Sequence, residues 1–272
     1  MKTRILLRYI AIFVVGLVMV LPLVYLFGGS LMTASEITQF PPALFPAEPQ
    51  WQNLLSALQV VEPRSILNSL IFVAGVIVVQ LAVSLPAGFA LAVIPFPGAT
   101  RLLALFVIPI FVPTNLMIIP MYVVTFQVGL VGSFAGLIIP IAAASSVAIL
   151  LFRQFFAGLP TGLFEAARLD GASWITTFRL IALPLTRPIV AAYSVVTFLT
   201  AWNLYIWPLI AAPAAETRVL SVALARLAQN DFAYIPPPIT FAGAVISVVP
   251  VLIVFLVFQK WFTKGVVGTG LE

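Results

Sequence analysis

The 272-residue chain is 62% hydrophobic and 8% charged, with a mean hydropathy of +1.19. Ordinary soluble domains carry roughly 25% charged residues, so this composition excludes a soluble globular protein and predicts an all-α, polytopic membrane protein. The formal charge of +5 therefore bears on topology rather than on nucleic acid. With no cysteine and no histidine, disulfides, thiol catalysis and imidazole chemistry are excluded as well.

The N-terminus carries Lys2, Arg4 and Arg8 ahead of a long apolar run. That run is longer than a signal-peptide core and lacks a small-x-small cleavage site, so a retained first span is expected over about 9–29. A helix needs about 20 largely apolar residues to cross a bilayer. Charged residues, together with a turn expected at Gly129–Ser133, mark off further stretches of that length over about 66–92, 102–126, 134–153, 188–210 and 240–260. The expected fold is thus a single transmembrane domain over 1–272 with six helices.

Placing both termini in the cytoplasm puts Lys2, Arg4, Arg8, Arg101, Arg153, Arg168, Arg179, Arg187, Lys260 and Lys264 inside, and only Arg64, Arg218 and Arg226 outside. Ten against three obeys the positive-inside rule, and the inverted topology would break it. The first outer loop holds Pro41, Pro42, Pro46 and Pro49 ahead of Trp51, a density that predicts an extended path. The second, over 212–238, is polar at Glu216, Arg218, Gln229, Asn230 and Asp231. Either loop would suit contact with an extracytoplasmic partner or a plain connection between spans. No internal repeat, low-complexity region or separate soluble domain is found.

Between the fourth and fifth spans lies a polar island, EAARLDGASWITTFRLIALP from Glu165 to Pro184, within a segment 159–184 expected to be cytoplasmic. Leu159-Pro160 predicts a helix stop, with Thr161 as the N-cap of a new helix. Leu163, Phe164 and Ala167 share one face of it, beside Glu165 and Arg168. Asp170-Gly171 predicts a turn, because glycine accepts positive φ. Ser173 is expected to cap a second short helix that Pro184 ends. The apolar face of this helix–turn–helix suits a groove on another protein, or equally an interfacial position on lipid headgroups.

The order Glu165-Ala166-Ala167, Gly171 and Leu183-Pro184 resembles the EAA loop of carbohydrate-type ABC import permeases. Trp51-Gln52-Asn53-Leu54, Asn68-Ser69-Leu70, Ile119-Pro120-Met121-Tyr122, Phe152-Arg153-Gln154-Phe155-Phe156, Trp202-Asn203 and Trp207-Pro208-Leu209 resemble the second, maltose-type permease subunit of that family. The chain departs from it at Leu204, where an acidic residue is common. It departs again at its end, where a Gln259-to-Gly268 tail closes on Gly-Thr-Gly-Leu-Glu. The resemblance implies that Glu165, Ala166, Ala167, Asp170, Gly171 and Pro184 couple the permease to an ATPase. It further implies a homologous second permease, two ATPase subunits that bind ATP and Mg, and an extracytoplasmic solute-binding protein, all at a bacterial or archaeal inner membrane.

Polar side chains at membrane depth face a cavity, a bundle interior or each other. Tyr193, Thr197, Thr200, Asn203 and Trp207 fall within about a third of one helix circumference at ~100° per residue. Rings beside hydroxyl and amide groups suit a sugar, and Gln80, Asn115, Tyr122 and Gln127 are further candidates. Helix–helix hydrogen bonding is the competing explanation for each. The spans contain no carboxylate or lysine, which argues against ion-coupled transport. No G-x-x-x-x-G-K-[ST] occurs, so this chain is expected to be no enzyme and to bind no cofactor itself. The function expected is ATP-driven import of a sugar or oligosaccharide by alternating access. The alternatives are a non-sugar solute (a polyol, glycerol phosphate or peptide), a non-transporting membrane scaffold, and, less well supplied with residues, a membrane enzyme.

Overall fold

A computed structural model describes residues 2–143, 145–229 and 235–267. Helices account for the regular structure, and no strand occurs among the described residues. Three helices are long and apolar enough to cross a membrane: α1 (Lys2–Ser30), α4 (Pro63–Val93) and α15 (Pro237–Val267), the last through Gln259. Three further bent pairs bring the total to six if each pair makes one span. Backbone contacts divide the chain into two compact units, Met1–Ile66 with Leu220–Leu252, and Leu67–Val219 with Ile253–Glu272.

In the first unit, the short helix α2 (Ala34–Thr38) follows α1, and α3 (Gln52–Val61) packs against α14 (Leu220–Gln229). Asn53 ties the end of α1 to the start of α3, its Nδ2 donating to the carbonyls of Ser30 at 3.1 Å and Met32 at 2.8 Å. Met32, Ala57, Val61, Leu220 and Leu227 form its buried interior. Tyr25 meets Phe241 of α15 edge-on at 5.6 Å. Gly29 lets that ring approach, since a Cβ there would sit 3.1 Å from Phe241 Cδ1.

The second unit begins within α4 and includes α5 (Ala99–Val107), α6 (Thr114–Gln127), α7 (Phe134–Ala143), α8 (Ser146–Ala157) and the segment up to Val219. Small residues bring its helices together, as expected where lipid gives no hydrophobic drive for helix association. A Cβ on Gly88 of α4 would lie 2.8 Å from the Arg153 nitrogen and 2.9 Å from Phe152 Cβ of α8. Gly75 makes similar room for Ile138 of α7. Asn68 closes the other end of α4, its Nδ2 donating to the carbonyls of Glu216 and Arg218 at 3.0 and 2.8 Å.

The stretches expected as straight spans over 102–126 and 188–210 are each interrupted. Ala99–Phe111 and Thr114–Gln127 meet at 107°. Val112 and Pro113 are both extended there, with ψ of 120° and 124°. Proline disfavours helix in the residue before it and lacks the N–H that would continue the ladder. In the second case α12 (Arg187–Trp202) stops, and α13 (Ile206–Ala211) restarts after Asn203-Leu204-Tyr205. α7 and α8 are bent by 50° near Ser145.

Candidate functional site

The polar island folds as two short helices joined by a tight turn. Its helix α9 (Thr161–Leu169) begins with Pro160 at the N-cap, whose ring carries no hydrogen-bond acceptor; Thr161, expected as the cap, is the first helical residue instead. Asp170 is the C-cap and Gly171 follows at φ +79°. The Gly171 N–H donates to the Arg168 carbonyl at 3.1 Å and the Ala172 N–H to the Ala167 carbonyl at 2.9 Å. This pair of bonds is a Schellman ending, which needs a left-handed residue at the Gly171 position. Arg168 reinforces the turn from outside, donating from Nη1 to the Ala172 carbonyl at 3.1 Å, with its guanidinium 4.7 Å from the Trp174 ring centroid.

Ser173 caps the next helix as expected, its Oγ accepting from the Thr176 N–H at 3.2 Å. That helix, α10 (Trp174–Thr177), runs into a widened π turn over Phe178–Ala182 and a last turn, α11 (Leu183–Leu185). Pro184, expected to end the helix, lies inside it; the chain bends by 72° only where Arg187–Trp202 begins. The π turn puts Pro184 at the start of α11, where its missing N–H costs no ladder bond.

Of the apolar face expected to be open, Leu163 is exposed but Phe164 and Ala167 are turned inward. Phe164 and Ala167 are buried, Phe164 in a cluster with Phe89, Ala148, Phe152, Phe156 and Ala182. Phe89 meets Phe164 at 6.0 Å, Phe156 at 5.5 Å and Phe178 at 5.2 Å. Burying Phe164 removes a side chain worth about 1.5–3 kcal/mol from water, so the face that seats α9 is not the one left free. The open surface carries Glu165, Ala166 and Asp170, together with Leu169 at 89%, Ile175 at 65% and Leu180 at 72% exposure. Beside it opens a cavity of about 640 Å³, lined by Phe156, Leu159, Glu165, Arg168 and Trp174 among others. Sequence reading placed Ile175 on the second helix but missed Leu169 and Leu180, because the outer apolar residues are split between two helices across the turn.

The polar residues of α12 separate into two groups. Tyr193 donates from its hydroxyl to Gln80 Oε1 at 2.8 Å. Gln80, itself buried, donates from Nε2 to the Ile141 carbonyl at 3.3 Å. Thr200 and Asn203 are exposed, each satisfied by its own helix: Thr200 Oγ1 donates to Val196 and Thr197 carbonyls, and Asn203 Nδ2 to Leu199 at 2.8 Å. Trp207 does not share that surface. It is 1% exposed, and its Nε1 donates to the Leu137 carbonyl of α7 at 3.1 Å, so its bulk locks α13 to α7. Tyr122 stacks on Phe126 of its own helix at 6.3 Å, and Asn115 and Gln127 are exposed on α6. Ser84 of α4 is a buried polar residue that periodicity did not single out. Among the described residues, no three Asp, Glu, His or Cys side chains gather as metal ligands. The expected tail beyond Val267, and Asn230 and Asp231, lie outside the described residues.

Comparison with known proteins agrees with this picture. Residues 84–268 match the family described as binding-protein-dependent transport system inner membrane component. The sn-glycerol-3-phosphate transport system permease protein UgpE of Agrobacterium fabrum is 31% identical over 265 residues, 94% of each chain. Its counterpart in Yersinia pestis is 29% identical over 264 residues, again 94% of each. In fold, the chain matches a chain from the crystal structure of a bacterial ABC transporter involved in the import of the acidic polysaccharide alginate. The TM-score is 0.85 at 23% identity, covering 96% of this chain and 97% of that one. The helical architecture, the apolar spans and a family match over most of its length make this chain a member of the binding-protein-dependent inner-membrane transport components, a multi-pass permease subunit of an ABC importer.

Proposed function

We propose that this permease carries an uncharged, hydroxyl-rich solute of the sugar class, handed over by a binding protein and driven by a separate ATPase docked on Glu165–Gly171. The observation that carries the docking is the locked turn: the Schellman ending, Arg168 and the Ser173 cap fix α9 and α10 while Glu165, Leu169 and Asp170 stay open. A rigid, amphipathic projection of this kind suits insertion into a partner's groove. Glu165, Ala166, Ala167, Asp170, Gly171 and Pro184 are assigned to it; Ala167 acts by seating the helix, the exposed members by contact.

In this reading the chain crosses the membrane six times with both termini and the docking loop in the cytoplasm. It pairs with a second permease and two ATPase subunits, which bind the ATP and Mg. Closure of the ATPases moves α9, and the spans exchange outward and inward openings, a change that needs different contacts in the two states. Thr200 of α12 and Asn203 at its C-cap are the solute contacts with the strongest support, being polar and exposed, and Asn115 and Tyr122 are assigned weaker ones. The sequence from Arg187 to Glu216 has no charge between its ends, which favours a neutral solute over one whose charge must be neutralised in the membrane.

A second reading is glycerol phosphate, favoured by the names of the relatives; it requires cationic groups from the partner permease. Uptake into proteoliposomes of the assembled transporter, measured with labelled sugars and with labelled sn-glycerol-3-phosphate, separates the two. Sugar uptake lowered by Thr200→Val and Asn203→Leu, with assembly intact, is the expected result. Uptake of the phosphate alone would establish the second reading, and unchanged kinetics in both variants would return these residues to packing.

A further inference from the structure

The segment after α1 holds an apolar patch that transport leaves unexplained. Between Glu36 and Glu48 there is no charged residue. Phe40 is 95% exposed, Phe45 70% and Leu44 45%, and Trp51 just beyond is 64% exposed. Exposed aromatic side chains at this density are not the ordinary scatter of apolar residues on a surface.

The patch is held in a defined shape. Glu36 Oε2 accepts from the Thr33 N–H at 2.7 Å and from the Thr33 hydroxyl at 2.9 Å, while its Oε1 accepts from the Ala47 N–H at 2.9 Å. One carboxylate thus clasps both ends of the loop. Farther on, the Gln50 N–H donates to the Leu31 carbonyl at 2.8 Å. The loop then folds back along α1 rather than away from it. Its Leu44 carbonyl lies so close to Gly28 that a Cβ there would overlap it. Phe45 and Pro46 share a groove with Val20, Leu23, Val24, Phe27 and Leu31 at the end of α1. At 1.5 Å per residue, Val20 lies about 15 Å from the end of that helix.

The surface the loop joins is a lipid-type surface. The most apolar 18-residue window of the Arg8–Ser30 stretch of α1 has a mean hydropathy of 2.8, and none of that window is buried within the chain. From this continuity we infer that the clasped loop 37–47 is a membrane-interface anchor, its Phe40, Leu44 and Phe45 inserted among the lipid headgroups and upper acyl chains where α1 leaves the bilayer. Phe and Leu side chains of an interfacial segment insert at that depth, and Trp51 just beyond has the apolar body with a polar edge that the headgroup level accepts. Backbone groups left open in a proline-rich loop find water and headgroups there, which the hydrocarbon core would deny them.

This chain has no cysteine, so single probes can be placed in it without removing any of its own, with the partner subunits in cysteine-free form. Nitroxides would be attached at Phe40→Cys, Leu44→Cys, Phe45→Cys and, as the aqueous reference, Glu48→Cys, in the full transporter reconstituted in liposomes of phosphatidylethanolamine and phosphatidylglycerol. Collision with oxygen reports lipid and collision with a nickel chelate reports water. The expected result is an oxygen-to-nickel ratio above that of Glu48→Cys at all three loop positions. A ratio equal to the reference would mean a water-exposed loop, and protection from both reagents would mean that a protein covers it; either outcome overturns the inference. Glu36→Ala tests the clasp through the same probe at Leu44→Cys: a fall in the ratio is expected, and an unchanged ratio would overturn the part given to Glu36.

Discussion

Gly171 offers the sharpest test of how the proposed docking loop is built, because two explanations for a glycine there predict opposite orders. Its φ is +79°, and a Cβ added to it would meet nothing within 4 Å. The demand is therefore conformational and not steric within this chain. An L-residue in the left-handed region is disfavoured by roughly 1–2 kcal/mol, and asparagine visits it far more readily than alanine. If the ATPase binds only the Schellman form, Gly171→Ala weakens its association by at most about five- to thirty-fold. Gly171→Asn, although larger, should lose much less. The assay is titration of the purified ATPase against permease variants in nanodiscs, read as association and as stimulated ATP hydrolysis. Were the Gly171→Asn variant to bind worse than Gly171→Ala, side-chain volume against the partner would govern this position, and a purely conformational demand would be refuted.

Two other outcomes follow from single contacts. Trp207→Phe removes the donor to the buried Leu137 carbonyl. It should cost about 1 kcal/mol of stability, a fall in Tm of about 2–4 °C for a protein of this size, with the KM for transported solute unchanged; a shifted KM with unchanged Tm would restore Trp207 to the solute path. The Glu36 clasp has a definite pH dependence: bonds first from the Thr33 N–H, then from the Ala47 N–H and the Thr33 hydroxyl, hold its carboxyl below the ordinary 4.5. A lowered native value favours the charged, clasped form above pH 4.5, and that preference is lost as pH falls through the native value. Spin labels at Thr38→Cys and Glu48→Cys should hold one distance from neutrality to about pH 4.5 and separate only on further acidification; opening above about pH 5 would contradict the assignment.

How much of this was legible in the sequence varies with the length scale of the cause. Composition carried the membrane class, since nothing else can use a chain so apolar. Local chemistry carried the Gly171 turn and the Ser173 cap, because both depend on residues within three or four positions. Helix continuity was less readable. Pro86 and Pro250 sit inside unbroken helices whereas Pro113 accompanies a 107° bend, and the difference lies in whether the preceding residue and neighbouring helices allow the ladder to continue. The π turn before Pro184 belongs to the same class. Orientation of faces was readable only in part: Phe164 and Ala167 have the right spacing for an apolar stripe, but spacing cannot say whether the stripe meets its own core or a partner. Trp207 looked like a member of the α12 stripe only if α12 continued past Asn203, and it does not.

The aromatic core that seats α9 also reaches the polar residues of α12, which gives a physical route from docking to transport. Phe164 meets Phe89, and both share a buried cluster with Phe152, whose ring lies 5.4 Å from Tyr193. The Tyr193 hydroxyl in turn holds Gln80, and Gln80 holds the Ile141 carbonyl. Shifting α9 must therefore move or strain Tyr193, because a close-packed interior transmits displacement rather than absorbing it. Spatial connection alone does not establish coupling, but a double-mutant cycle does. Phe164→Leu loosens the seat, and Tyr193→Phe keeps the ring while removing the bond to Gln80. Distant substitutions without shared partners add within about 0.3–0.5 kcal/mol, whereas coupled ones deviate by about 0.5–3 kcal/mol. Measured on the logarithm of solute transported per ATP hydrolysed, the two should depart from additivity by at least about twofold, which is what ~0.5 kcal/mol amounts to. Strict additivity in that ratio, with the ATPase still bound to both variants, would show that the packed route carries no signal.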